Sequence, residues 1–154
     1  TWGKNDWNAL FNDIIENSKG YFLGSFICVN GGALNGTILE LIDGQQRFAT
    51  LSLLIAALYS KLSDFEDEMD DDDKTEYANI RNLLAIKKSS LKAGKKKTEY
   101  LPRVTLQNQN HNEEDYKYIL SNCGIITTQL PKPSKLNIRK IAKAFNHFEN
   151  LIDC

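Results

Sequence analysis

Few of the usual markers of a chemical site are present in this chain. Its 154 residues hold three cysteines, two histidines, three prolines and one methionine. Cys28, Cys123 and Cys154 are widely spaced and form no Cys-x-x-Cys unit. That argues against a disulfide framework or a structural zinc and suits a reducing compartment. With no second His or Cys at ligand spacing, His111 and His147 offer a transition metal little to bind. Neither a Gly-x-x-x-x-Gly-Lys-Ser/Thr loop nor a Gly-x-Ser-x-Gly elbow occurs. Long apolar runs are missing too. The longest, Phe48 to Leu58, is broken by Thr50 and Ser52, is too short for a bilayer, and reads as a core helix. Charge of one sign is also lacking. Nineteen Lys and Arg against twenty Asp and Glu leave a formal net charge of −1, so a DNA contact would need a local patch rather than a global basic field.

What remains is ordinary globular composition, 42% hydrophobic and 25% charged, with enough chain for one domain and a core. The first helix is expected over Asn5 to Asn17, with Trp7, Leu10, Phe11, Ile14 and Ile15 on one stripe. Tyr21 to Val29 is apolar on both sides and predicts a central strand in which Cys28 is a small buried hydrophobe. Gly24 within it signals a bulge or the close approach of another group. Asn30 to Gly36 turns the chain into a second strand as a β-hairpin. After the central helix, the acidic run Asp64 to Asp73 reads as a solvated connection and not a metal cluster. Thr75 to Ile86 predicts a helix with Tyr77, Ile80, Leu83 and Leu84 inward, and Lys87 to Lys97 a lysine-rich solvated loop. Pro102 to Leu106 predicts a short strand, and a helix is expected near Glu113 to Leu120. Pro131 and Pro133 mark a linker into a last helix with the stripe Ile138, Ile141, Phe145, Phe148 and Ile152. His111 at a strand-to-helix turn and His147 beside that last stripe read as surface polar groups.

The densest information lies in TILELIDGQQRFATLSLLIAALYSKL, Thr37 to Leu62. A β-branched strand ends at Asp43-Gly44, and after Gln45, Gln46 and Arg47 comes a helix apolar nearly all the way round. Such a strand–turn–helix junction points free backbone N–H groups at whatever sits above it, a natural place for an anion. Arg47 is oddly placed there. It shares a face with Leu51, Leu54 and Leu58, and as a cation in the first turn it opposes the helix dipole. A partly buried arginine needs a negative partner, and a phosphate is one. The plainer reading makes Asp43 an N-cap and Gln46 its capping-box partner, with Arg47 paired to a carboxylate elsewhere. The two readings are compatible.

DGQQR before an apolar helix, preceded by Tyr21-Phe22-Leu23-Gly24-Ser25 and by Trp2-Gly3-Lys4, Trp7, Leu10 and Asp13-Ile14, resembles one bacterial domain family. It is the DGQQR domain at the N-terminus of GmrSD-type, modification-dependent restriction proteins and related phage-defence nucleases. Pro102 to Leu106 and the last helix, Asn137 through Ala144-Phe145 and Phe148, also look like that family, so the resemblance spans essentially the whole chain. It implies an α+β fold with a small ParB/sulfiredoxin-like sheet and a β-hairpin, packed against a buried helix and further helices. It further implies a domain that binds and hydrolyses an NTP, with Mg²⁺, to regulate DNA cleavage by a separate C-terminal HNH-type nuclease domain or a partner subunit. Carried onto this sequence, the site is Asp43, Gly44, Gln45, Gln46 and Arg47. Arg47 would contact phosphate, the glutamines orient a ligand or water, and Asp43 hold the metal or cap the helix. Gly24 would border the pocket unless it is a packing glycine.

Two departures bear on that expectation. Members of the family carry a Gln-Arg pair upstream of the first Trp motif, whereas this sequence starts at Thr1-Trp2, and it stops inside a helical pattern at Cys154. Both ends read as fragment boundaries of a single cytoplasmic domain, residues 1–154, without the nuclease. The alternative function is a non-enzymatic module that senses modified DNA or a partner, with DGQQR clamping the DNA backbone. For DNA the best local candidates are Lys95, Lys96 and Lys97, since lysine neutralises phosphate. They lack the interleaved aromatics of a single-strand platform.

Overall fold

Helix α1 spans Lys4–Glu16, and strands β1, Ile27–Asn30, and β2, Leu39–Asp43, follow it. Helix α2 covers Gln45–Ser63 and helix α3 Asp71–Leu84. Strands β3, Ala85–Lys92, β4, Lys95–Pro102, and β5, Val104–Thr105, precede helix α4, Asn112–Asn122, and helix α5, Lys140–Ile152. These assignments come from a computed structural model that describes residues 2–17, 19–20, 24–30, 39–107 and 111–153. The fold is α+β, as the sequence predicts.

Among the described residues the strands form a three-stranded sheet in the order β1-β2-β5 and a separate two-stranded ribbon of β3 and β4. β1 runs antiparallel to β2 with Asn30 opposite Leu39, the expected hairpin, whose loop lies outside the described residues. β5 adds to the other side of β2 in parallel. The central strand is therefore β2, with Leu41 fully buried, and not the segment Tyr21 to Val29. Of that segment only Ile27 onward pairs, as an edge strand, and residues 21–23 lie outside the described residues. Ile27 and Val29 are exposed, and Cys28 is exposed rather than buried. The reason is a distant partner: β5, some sixty residues along, takes the inner flank of β2.

The core sits between α2, α4 and α5. On α2 the inward face carries small residues, Ala49, Ser52, Ala56 and Ala57, around Leu53, and these let α5 lie close with Ile141, Ala144, Phe145 and Phe148. Phe148 is fully enclosed, a burial that stabilises by about 1.5–3 kcal/mol. Lys61 near the end of α2 reaches Asp153 just past α5 at 2.8 Å, so the two helices run side by side in the same direction. Tyr59 of α2 stacks on Tyr77 of α3 with ring centroids 4.3 Å apart.

Several local expectations are corrected. In α1, Trp7 and Leu10 are buried, but Ile14 and Ile15 are exposed. The acidic run is not a bare connection. Glu66–Glu68 forms a 3-10 turn, Asp70 accepts the N–H of Asp73 as the N-cap of α3, and Asp71, Asp72 and Asp73 fill its first turn, where negative charge suits the helix dipole. α3 thus starts and ends earlier than expected, and Leu83 faces solvent. Residues 87–97 are not a loop but the outer part of the β3–β4 ribbon, closed by Ala93 and Gly94, both with positive φ. That is the backbone a tight two-residue hairpin turn requires. The strand expected over Pro102 to Leu106 shortens to Val104–Thr105, because Pro102 completes β4. Ile138 lies in a 3-10 turn before α5 and is exposed.

Candidate functional site

β2 ends by delivering Asp43 opposite Ile27 of β1, and the chain turns at Gly44 into α2. Gly44 is the N-cap, in the left-handed region at φ 78°, and it replaces Asp43 in that role. Asp43 keeps its ladder position and accepts the Gly44 N–H on Oδ1 at 2.8 Å. A side chain at residue 44 would also strike Phe26, 2.8 Å from where its Cβ would lie. The expected capping box does not form. Gln46 Oε1 instead accepts the backbone N–H of Trp2 at 2.6 Å, and Gln45 Nε2 donates to the Leu41 carbonyl at 3.2 Å.

Arg47 is half-buried, and among the described residues no carboxylate forms an ion pair with it. Nη1 donates to the Ser25 carbonyl at 3.3 Å, and the guanidinium lies 5.8 Å from the centroid of Phe26, which packs edge-on against Phe48. Gly24 lies directly beneath. A Cβ there would sit 2.6 Å from the guanidinium carbon and closer still to Nη1. The close approach that Gly24 signals is thus that of the Arg47 side chain. The face Arg47 shares is only partly covered, with Leu51 and Leu54 intermediate and Leu58 exposed.

A cavity of about 820 Å³ opens over this turn, and all five residues from Asp43 to Arg47 line it. Trp2 and Trp7 form one wall. Leu106, Gln107 and Asn112 come from the β5–α4 junction, and Ile138, Arg139, Lys140, Ile141 and Ala144 from the start of α5. Gly24 and His111 do not line it, nor does any residue from 87 to 97. Three helix N-termini, those of α2, α4 and α5, therefore meet at one cavity, and none is closed by a side-chain cap. α3, which is remote from the cavity, is capped by Asp70. Helix N-termini carry partial positive charge and N–H donors, so their convergence favours an anion.

The charged lining side chains are mostly basic. Among the described residues Arg47, Arg139 and Lys140 line the cavity with one carboxylate, Asp43. Arg139 is held from behind by Asp115, a fully buried residue of α4 whose two oxygens accept Nε and Nη2 at 2.6 Å each. This bidentate contact holds the guanidinium charged and fixes its plane. Lys140 Nζ donates to the Trp2 carbonyl at 3.1 Å, so Trp2 is clasped at both backbone groups, by Gln46 and by Lys140. Sequence reasoning missed Arg139, Lys140, Gln107 and Asn112. One signal was available in a helix that begins Arg-Lys with no capping residue, a poor start unless a negative group lies nearby.

His111 occupies the N-cap position of α4 in the left-handed region without a side-chain cap bond, and its ring contacts Glu114 at 3.1 Å on the surface. His147 Nε2 meets Asn8 Oδ1 at 2.7 Å beside Trp7, joining α5 to α1.

The fold is an α+β domain in which three helix N-termini converge on one cavity. The chain belongs to the family of the GmrSD restriction endonuclease N-terminal domain, whose model matches residues 1–152. No curated protein matches it. Among the described residues no helix is long and apolar enough to cross a membrane.

Proposed function

We propose that this domain binds a nucleoside triphosphate in the cavity above Asp43 to Arg47 and hydrolyses it to the diphosphate and inorganic phosphate, as the regulatory part of a DNA-restriction protein. The observation that carries this reading is the coincidence of the whole DGQQR run, two arginines and three uncapped helix ends around one cavity of about 820 Å³. That size suits a nucleotide. Arg47, braced on Gly24 and Ser25, meets the phosphates, and Arg139, oriented by Asp115, is a second phosphate contact. Trp2 and Trp7 offer apolar surface for a base.

Among the described residues no cluster of three or more His, Cys, Asp or Glu forms a metal cage. A lone lining carboxylate nevertheless suits Mg²⁺, which is held by one or two carboxylates together with substrate phosphates. Asp43 is the residue that would hold it, and the ion would neutralise charge on the phosphates. Gln45 is turned back onto β2, whereas Gln46 stands at the rim beside Trp2. Gln46 is the better placed of the two to orient a water. Catalysis would rest on positioning and charge stabilisation rather than on a strong nucleophile.

The alternative, a DNA-backbone clamp at DGQQR, asks for a groove continuous with the lysine segment. No residue from 87 to 97 lines the cavity, which favours the mononucleotide. Calorimetry with ATP and with GTP in the presence of Mg²⁺ tests the reading. Saturable binding that weakens at least about a hundredfold in Arg47→Ala is the expected result, the scale of a lost charged hydrogen-bond pair. Absence of binding to either nucleotide would overturn it.

A further inference from the structure

The β3–β4 ribbon is built unlike the rest of the molecule. From Lys87 to Thr98 every residue is exposed, uncovered by the other described residues. Its base is firmly held. The Arg81 guanidinium lies 3.6 Å from the centroid of Tyr100, Tyr100 N–H donates to Thr127 Oγ1 at 3.0 Å, and Arg103 donates to the carbonyls of Asn82 and Ala85. A rigid base with a bare, two-stranded projection is an arm.

Strand register sorts its charges. Lys88, Ser90 and Lys92 share a face with Lys95, Lys97 and Glu99, because Lys88 pairs with Glu99, Ser90 with Lys97 and Lys92 with Lys95. Four lysines thus share one face with one glutamate, which Lys97 bridges at 2.8 Å. The hydrogen bond from Lys97, with smaller contributions from the charges of Lys97, Lys92 and Lys88, holds the Glu99 carboxyl below its ordinary range. Lys92 and Lys95 stand directly opposite each other at the tip, an unfavourable cross-strand pair. On the other face Leu91, 79% exposed, stands opposite Lys96. Lysines facing lysines at the end of an unsupported arm call for a polyanion.

We infer that the β3–β4 ribbon is a duplex-DNA contact that enters the major groove with its lysine face. A two-stranded ribbon fits a groove about 12 Å wide and about 8.5 Å deep, and lysines along it reach both phosphate walls. The A-form RNA groove is too narrow to admit it. Single strands are disfavoured because the exposed part of the ribbon, residues 87–98, carries no aromatic residue on which bases could stack. This surface is separate from the cavity, and the inference does not rest on nucleotide binding.

The test is fluorescence anisotropy of a short labelled duplex with the chain as it stands, without nucleotide, at salt between roughly 25 and 200 mM. A variant combining Lys88→Gln, Lys92→Gln, Lys95→Gln and Lys97→Gln is compared with one in which Lys19, Lys74, Lys132 and Lys143 become Gln. The ribbon variant should bind at least about tenfold more weakly at the lowest salt, and its log–log salt slope should be shallower by about 3 to 4. The control variant should keep both. Equal losses in the two variants, no binding by the unaltered chain at low salt, or preference for single-stranded DNA or duplex RNA would each overturn the inference. So would self-association of the ribbon variant with unchanged DNA binding, since lysines also keep exposed strand edges apart. Acetylation footprinting of the unaltered chain gives a readout free of folding effects. Duplex DNA should protect Lys88, Lys92, Lys95 and Lys97 but not Lys74 or Lys132, and uniform protection or none would count against the arm.

Discussion

At position 24 a side chain as small as alanine has nowhere to go. Its Cβ would overlap the Arg47 guanidinium, and φ of 108° is a backbone conformation that favours glycine. Gly24→Ala should therefore act on binding through Arg47 although it lines no cavity. The expected outcome is a loss of nucleotide affinity as large as that of Arg47→Ala, with about 1–3 kcal/mol of stability lost to backbone strain, read by calorimetry and urea titration. A Gly24→Ala variant that bound normally would show that the brace is dispensable. This residue also marks how far a sequence can be read. A glycine in a strand-like run announces a close approach, but only the fold says that the visitor is an arginine 23 positions on. Asp43 and Gly44 exchanged roles for a related reason. Both suit a helix start, and the decision fell to Asp43's place opposite Ile27 in the ladder, a long-range fact.

Elements with their own periodicity were legible. The first, central, fourth and last helices all lie close to where their apolar spacing puts them. The ribbon was not, because its lysines and serines come in runs without a buried face, and β pairing there is held by its anchored base and by the Ala93–Gly94 turn. The acidic run was misread for the opposite reason, since aspartates that look merely soluble also cap a helix. Between elements, His147 ties α5 to α1 through Asn8 and Trp7, and burial, aided by the Lys4 charge, holds its imidazole below the ordinary range. Protons then bind the unfolded chain before the folded one. The stability from this joint is fully present above the unfolded value near 6.5 and is lost as pH falls through the lower folded value. Urea midpoints measured from about pH 7.5 to about pH 5 should drop for the parent and drop less for His147→Gln. Parallel curves for the two would remove His147 from the account.

Across the whole molecule, four groups of residues far apart in sequence, Trp2 with Trp7, the 43–47 turn, Leu106 and Gln107 with Asn112, and Ile138 to Ile141 with Ala144, meet around one cavity. Only the second was legible as a site, because it alone is compact enough to be a motif. Arg139 gains its meaning from Asp115, and Lys140 from Trp2, contacts that no local pattern encodes. If a nucleotide bridges these stretches, it should stabilise the fold as a unit. At about a hundredfold over its Kd it should add about 2.7 kcal/mol, or about 5–10 °C in Tm for a chain of this size, and Arg47→Ala should show far less. A Tm indifferent to nucleotide would separate the cavity from nucleotide binding.

The parallel course of α2 and α5 has a consequence of its own. Neighbouring helices set side by side in the same direction place like poles together, and here the clustered positive ends are joined by Arg47, Arg139 and Lys140, of which Arg139 is answered by Asp115 and only Asp43 lies on the cavity wall to answer the other two. Two cations against one lining carboxylate leave a modest excess of positive charge beside three helix ends without side-chain caps. A version with acidic caps on both helices would be the sturdier protein and the poorer receptor, because the same uncapped ends that cost stability attract an anion.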